Sequence, residues 1–378
     1  MEPVHTLKVL TRPSATVPLL VAALMSACGI GVADDETATP TSALAPAPAS
    51  APSPAPNNPS APAPSPPPTG APTVDVAKIP TGSAGFATDQ LMATGEMPAP
   101  APGGTGAFRT ICDFSHMASD DPIVFPGQPG KSHLHAFFGN TGVNAASTAA
   151  SIQNSGNSTC RGGTINRSGY WAPAMIDTQD GSPVKPTVAV MYYKVGASGI
   201  PGPHINALPQ SLRMIAGDSK GSTPYAGGPA LFKCIDNTTG NGPAATPNIP
   251  NCGIGTSLWQ SIEFPQCWDG ANLDSPDHKS HMAYPSGNKC PATHPVAVPV
   301  ITINVVYKIT DPNSTSRWRL ASDAYDRSLP AGYSSHADWF NGWRPEIMDV
   351  WVKKCDQVDR ECMAHLLGDG RMMTGVGT

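Results

Sequence analysis

VITINVVY, residues 300–307, decides the fold class. Ile301, Ile303, Val305 and Tyr307 alternate with Thr302 and Asn304, the period of a strand with one face turned to a core. Working outward, VKPTVAVMYYKV (184–195), Ala230 to Ile235 and Ser257 to Phe264 carry the same β-branched and aromatic content. Between them run long stretches rich in glycine, proline and asparagine, such as Asn237 to Pro250. Only Pro345 to Lys354 reads as a helix: proline opens it, Glu346 sits in the first turn, and Lys353 and Lys354 close it in agreement with the helix dipole. Its apolar stripe is Ile347, Val350 and Trp351, a core-facing pattern. These signals predict a mainly β protein: one large β-sandwich or jelly-roll-like domain with long loops pinned by disulfides and one C-terminal helix.

The composition must be divided before it can be read. Of 378 residues, 43 are proline and only 13% are charged, and much of that bias lies near the N-terminus. MEPVHTLKVLTRPSATVPLLVAALMSAC carries Lys8 and Arg12, then an apolar run, then small residues before Cys28. This is the layout of an export signal over residues 1–27, too short to span a membrane as a helix. Met25-Ser26-Ala27-Cys28 resembles a bacterial lipobox, with methionine where leucine is usual, so Cys28 is expected to be lipidated; the alternative is a signal cleaved near Ala33 and a freely secreted chain. Residues 28–84 read as a Pro/Ala/Ser-rich linker, in polyproline geometry a reach on the order of 100 Å from the anchor. One domain is expected over residues 85–365, followed by a tail, 366–378.

Cysteine usage points to export independently. Beyond Cys28 there remain Cys112, Cys160, Cys234, Cys252, Cys267, Cys290, Cys355 and Cys362, an even set that reads as disulfides in an exported chain. Short loop closure favours Cys234 with Cys252, Cys267 with Cys290 and Cys355 with Cys362, which leaves Cys112 with Cys160. No CxxC spacing supports a zinc or thiol-redox reading. A net charge of −5 without blocks of either sign gives no footprint for nucleic acid, and no glycine-rich phosphate loop follows a strand. A monomer is expected.

Three polar clusters carry the candidate chemistry. In SHLHAFFGN (132–140), His133 and His135 stand two apart, and on an extended backbone both imidazoles face one side. Such a pair can ligate a metal or share a proton-transfer task. In SPDHKSHMAYP (275–285), Asp277, His278 and His281 form a DHxxH sequence whose flanking prolines favour a loop over a helical turn. A carboxylate beside histidines can orient an imidazole or raise its pKa. Asp269, Asp274 and Asp277 also offer oxygens, without the spacing of a calcium loop. The third cluster, Tyr333 to Trp343, mixes His336, Asp338 and Asn341 with aromatic rings on which sugars stack, although Trp339 and Trp343 are spaced to pack inward.

In order along the chain, DPIVFPG (121–127), SHLHAFFGN, YWAP (170–173), RMIAGD (213–218), FPQCWDG (264–270), LDSPDHKSHMAYP, CPATHP (290–295) and HADWFNGW (336–343) resemble the successive motifs of the DUF1996 domain. Arg344 stands where fungal members end that last motif with an acid. The family consists of exported proteins of fungi and bacteria, some bearing a WSC carbohydrate-binding module. The resemblance therefore implies a cell-wall or polysaccharide setting without implying a reaction.

The expected function is an exported, membrane-anchored polysaccharide-active enzyme, a hydrolase or a lyase. Its catalytic set would be His133, His135, Asp277, His278 and His281. Tyr170, Trp171, Tyr284, His336, Asp338 and Asn341 would contact a polysaccharide or cell-wall glycan, and a divalent metal on His133, His135, His278 and His281 would serve either reaction. Two other readings stand beside it: a non-catalytic glycan-binding module, and a structural or metal-binding extracytoplasmic domain.

Overall fold

A computed structural model describes residues 70–196, 200–225 and 228–376. The expected signal peptide, the lipidation site Cys28 and the linker as far as residue 69 lie outside the described residues. Residues 70–84, which composition assigns to the linker, lie along the domain. Arg327 Nε donates to the Gly70 carbonyl at 3.2 Å, Asp75 N–H to Gly181 O at 2.8 Å, and Ser83 N–H to Phe114 O at 2.8 Å. Val74 and Ile79 of this stretch also pack against the main core. The expected tail is likewise engaged: Arg371–Met373 pairs antiparallel with Leu91–Ala93.

The main sheet is built from β1 (Ala107–Ala118), β2 (His135–Gly139), β3 (Gly169–Pro173), β4 (Val188–Lys194), β5 (Arg213–Gly217), β6 (Ala230–Asp236), β7 (Thr256–Glu263), β8 (Val300–Lys308) and β9 (His336–Phe340). Their order is β6-β7-β8-β4-β1-β2-β3-β9-β5, with every neighbouring pair antiparallel. β8 behaves as its alternation predicts. Ile301, Ile303, Val305 and Tyr307 are buried, and Asn304 on the other face is satisfied by Ser261 Oγ at 2.6 Å.

β1 joins two half-sheets. Its first seven residues pair with β4, its last with β2, and a register shift falls between Phe114 and His116, the bend that a bulge imposes on a long strand. Both halves contribute to a single core, from Phe108 and Tyr193 to Trp339 and Tyr307. The result is the expected mainly β, sandwich-like domain in the form of one nearly closed sheet. Across the seam, Gln260 Nε2 on β7 donates to Ser335 Oγ, just before β9, at 3.0 Å.

The C-terminal helix, α1 (Pro345–Lys354), buries Ile347, Met348, Trp351 and Val352, and Trp351 stacks on Phe108 with ring centroids 4.8 Å apart. The sulfurs meet as Cys234–Cys252, Cys267–Cys290 and Cys355–Cys362, the pairs that short loop closure favours, and as Cys112–Cys160, the pair left over. Among the described residues, no helix is long and apolar enough to cross a membrane.

Candidate metal centre

Strands alternate their side chains, so β2, β3, β9 and β5 have one face in the main core and another turned outward. On β9, Ala337 and Trp339 enter the core; His336, Asp338 and Phe340 face out. This outer face is not left to water. Segment 119–133 folds over it and closes on itself through Ser132 N–H to Ser119 O at 3.1 Å. Ile123 from that segment joins Phe137, Trp171, Phe340, Val143 and Ile152 in a small second core. Both faces of β2, β3 and β9 are therefore buried.

Beside this second core lie three imidazoles and two carboxyls. The nearest ligand atoms of His133, His135 and His336 all fall within 4.8 Å of one another, as do those of Asp121, His135 and Asp338. His135 Nδ1 is 2.9 Å from the Asp120 carbonyl and His336 Nδ1 is 2.8 Å from the Ser334 carbonyl. A carbonyl oxygen can only accept, so each Nδ1 carries the hydrogen and each Nε2 holds a lone pair. Those two Nε2 atoms face each other at 3.5 Å. His133 Nε2 and Asp338 Oδ2 are buried there with no hydrogen-bond partner.

The electrostatics follow from burial. His135 and His336 are held down to about 4, chiefly because the buried site disfavours the imidazolium; for His336 the neighbouring His135 adds to this. His133 is driven down for the same reason, with His135 and His336 contributing. Asp338 is pushed well up by burial and then by Asp121. Asp121 is raised by burial, partly offset by the N–H groups of Val124 and Ile123 on its Oδ1. Neutral nitrogens aimed at one another beside an unpaired carboxyl oxygen form a site short of one cation.

The residues fit a divalent metal. Two nitrogen ligands at about 2.0–2.1 Å around a tetrahedral centre lie about 3.4 Å apart, close to the 3.5 Å seen. Metal-bound histidines commonly anchor their other N–H on a carbonyl, as both do here. A set richer in imidazole than in oxygen selects zinc, copper, nickel or iron over calcium or magnesium.

The SPDHKSHMAYP loop takes a different part from the one expected. His281 is buried and spanned by Ser275 Oγ at 2.9 Å and the Arg213 carbonyl at 2.7 Å, so it caps the outer edge of β5 and is no ligand. His278 bonds Asp274 at 2.9 Å. Asp277 is exposed and accepts from Ser275, Ser280 and Lys279, which hold its carboxyl far down. None of the three joins the cluster. The loop does bring Lys279 to its rim: Nζ donates to Gly217 O at 2.9 Å, and its charge is felt by both His336 and Asp338.

Several expected glycan contacts are also corrected by burial. Tyr170 lies in the core and bonds Tyr193 through the two hydroxyls at 2.7 Å. Trp171 belongs to the second core. Asn341 is spent on Pro209 O and Trp343 N–H. All three are sealed from any substrate. His336 and Asp338, expected to touch substrate, are potential ligands instead, and Asp121 enters as a ligand not anticipated. Its signal was present in the DPIVFPG motif, where an aspartate opens a turn before an apolar pair. Tyr284 alone of that set stays exposed, at 47%.

Compared with known families, residues 121–343 match a domain of unknown function, DUF1996. The chain belongs to the DUF1996 family. The matched DUF1996 region begins at Asp121 and ends at Trp343, so it holds all five cluster residues while leaving out β1 and α1. No curated protein and no solved structure matches the chain.

Proposed function

We propose that this DUF1996 protein is an exported, metal-dependent enzyme of the cell envelope that cleaves a polysaccharide. Its cation is held by His133, His135, His336 and Asp338, with Asp121 beside them. The observation carrying this reading is the pair of Nε2 lone pairs facing each other at 3.5 Å in a buried site, each fixed by a backbone carbonyl. When bound, a divalent cation there supplies Lewis acidity or a water acidified to near neutrality. Asp121 and Asp338 do not suit a two-carboxylate glycosidase. Their ligand atoms lie within 4.8 Å of each other and both side chains are buried, whereas such carboxyls stand about 5 to 9.5 Å apart with sugar between them. Their role is to balance the cation, which leaves proton transfer to groups on the rim, where His278 and Lys279 stand. Export and lipidation at Cys28 rest on the signal-like N-terminus, and on the disulfides that an oxidising compartment preserves.

A second reading, a closed structural metal site, is favoured by one observation: His135, His336, Asp121 and Asp338 are all almost fully buried, and closed sites of this kind stabilise without reacting. Incubating the full chain with a polysaccharide panel, with and without chelator, separates the two. Appearance of reducing ends or unsaturated products that stops on chelation and returns with added zinc supports the enzyme. A chelator that lowers the melting temperature while no polymer is cut leaves the structural site. Cleavage indifferent to chelation contradicts both.

A further inference from the structure

The sheet fails to close between its two terminal strands, β5 and β6, and a cavity of about 590 Å³ occupies that seam. Ile215 to Gly217 form one wall, and Pro229 and Ala230, at the head of β6, form another. Tyr225, Tyr284 and Tyr333 surround it, with Lys279 and Asp218 at its polar end. The rings are held. Tyr284 donates to the Glu263 carbonyl at 2.8 Å, and Tyr333 is backed by Tyr325, centroids 5.8 Å apart.

The cavity adjoins the metal centre. Gly217 is the register partner of His336 and Ile215 that of Asp338, while Lys279 serves both places.

An open seam invites an added peptide strand, but this one is blocked. The Arg213 N–H bonds Leu273 O, His281 Nε2 occupies Arg213 O, and Lys279 Nζ occupies Gly217 O. By the two-residue period of the strand, the N–H and C=O of Ile215, between those positions, and the N–H of Gly217 face the cavity without a partner among the described residues. Two donors and one acceptor, flanked by caps, suit a compact ligand. Aromatic walls with a few polar groups suit a ring that is apolar on its faces and hydroxylated at its edge. Lys279 is offset by Asp218, so the polar end gives no preference to an acidic ring.

We infer that the seam cavity is a subsite for a neutral pyranose unit of the polysaccharide, with Tyr284 and Tyr333 as stacking faces and the Ile215 backbone as hydrogen-bonding edge. The inference rests on the proposed polysaccharide activity and narrows it. A neutral ring has no carboxylate beside the proton that a lyase removes, so hydrolysis is the reaction such a subsite serves.

The test is calorimetric titration of the full chain, with and without chelator, using cellohexaose, laminarihexaose, mannohexaose and chitohexaose, with hexagalacturonate as the charged comparator. Zinc uptake is measured on the same samples. A neutral hexaose should bind, and Tyr284→Ala and Tyr333→Ala should each weaken it roughly tenfold, the loss of one stacking face, with melting temperature and zinc uptake unchanged. Equal affinity in the variants, no binding of any neutral hexaose, or tighter binding of hexagalacturonate overturns the subsite while normal zinc uptake leaves the metal centre standing. Hexaose binding without zinc uptake removes the metal centre and keeps the subsite.

Discussion

At the scale of single residues, the chemistry lies in where hydrogens are forced to sit. The Asp120 and Ser334 carbonyls fix the tautomers of His135 and His336, and burial keeps both rings neutral down to about pH 4. Two lone pairs at 3.5 Å repel unless a cation lies between them. Asp338→Asn therefore has opposite effects on two measurements. It removes a buried carboxyl with an unpaired oxygen, so the metal-free protein should gain on the order of 1 kcal/mol in denaturant unfolding. Zinc affinity should fall at least about 100-fold with the loss of a ligand; a stabilised variant with unaltered zinc affinity would remove Asp338 from the site. Acid should also unfold the metal-free form. Unfolded histidines take protons near 6.5, His135 and His336 only near 4, so in that interval the unfolded chain binds more protons and stability falls as pH drops. Asp121 and Asp338, raised in the fold, act in the opposite sense. Three imidazoles outweigh two carboxyls. Melting of the metal-free chain should lose on the order of 1–3 kcal/mol from pH 6.5 to 4; a flat or rising profile would contradict the neutral histidines.

At the scale of elements, what could be read in advance depended on how many faces of a strand are buried. β8, β4, β6 and β7 were legible because their patterns alternate or are rich in β-branched residues, and α1 because its ends are marked by Pro345 and by Lys353 and Lys354. β2, β3 and β9 are buried on both faces. Their polar members, His135, His336 and Asp338, sit on an outer face covered by segment 119–133, so no period of two announces them. Hence the sequence named the histidines of the cluster while assigning His336 to a substrate, and it grouped His278 and His281 with His133 by chemistry when topology separates them. The loop carrying those two residues is better understood as the cap of an edge strand. His281→Ala should strip one acceptor bond from Arg213, increase amide exchange in residues 213–217 and cost about 1–3 kcal/mol, with zinc affinity intact. A loss of zinc binding in that variant would return His281 to the centre.

At the scale of the whole molecule, the disulfides fasten the long loops to the sheet, and the size of the closed loop ranks their value. Cys112–Cys160 spans 48 residues and Cys355–Cys362 only 7. By loop entropy alone, paired alanine replacement should cost about 4 kcal/mol for the first and about 2.5 kcal/mol for the second in chemical unfolding; the reverse order would mean that native packing dominates. With the domain so fastened, a lipid anchor at Cys28 and the proline-rich stretch beyond it would give the metal centre reach into a polymer network without altering it. The proposed metal-dependent cleavage depends on that centre holding a cation. The decisive measurement is the metal content of the full chain after zinc loading and desalting, beside His135→Ala and His336→Ala variants that keep the wild-type circular dichroism. One tightly held zinc per chain, lost in both variants, is the expected result; a chain that holds no metal, or variants that hold as much as the wild type, would contradict it.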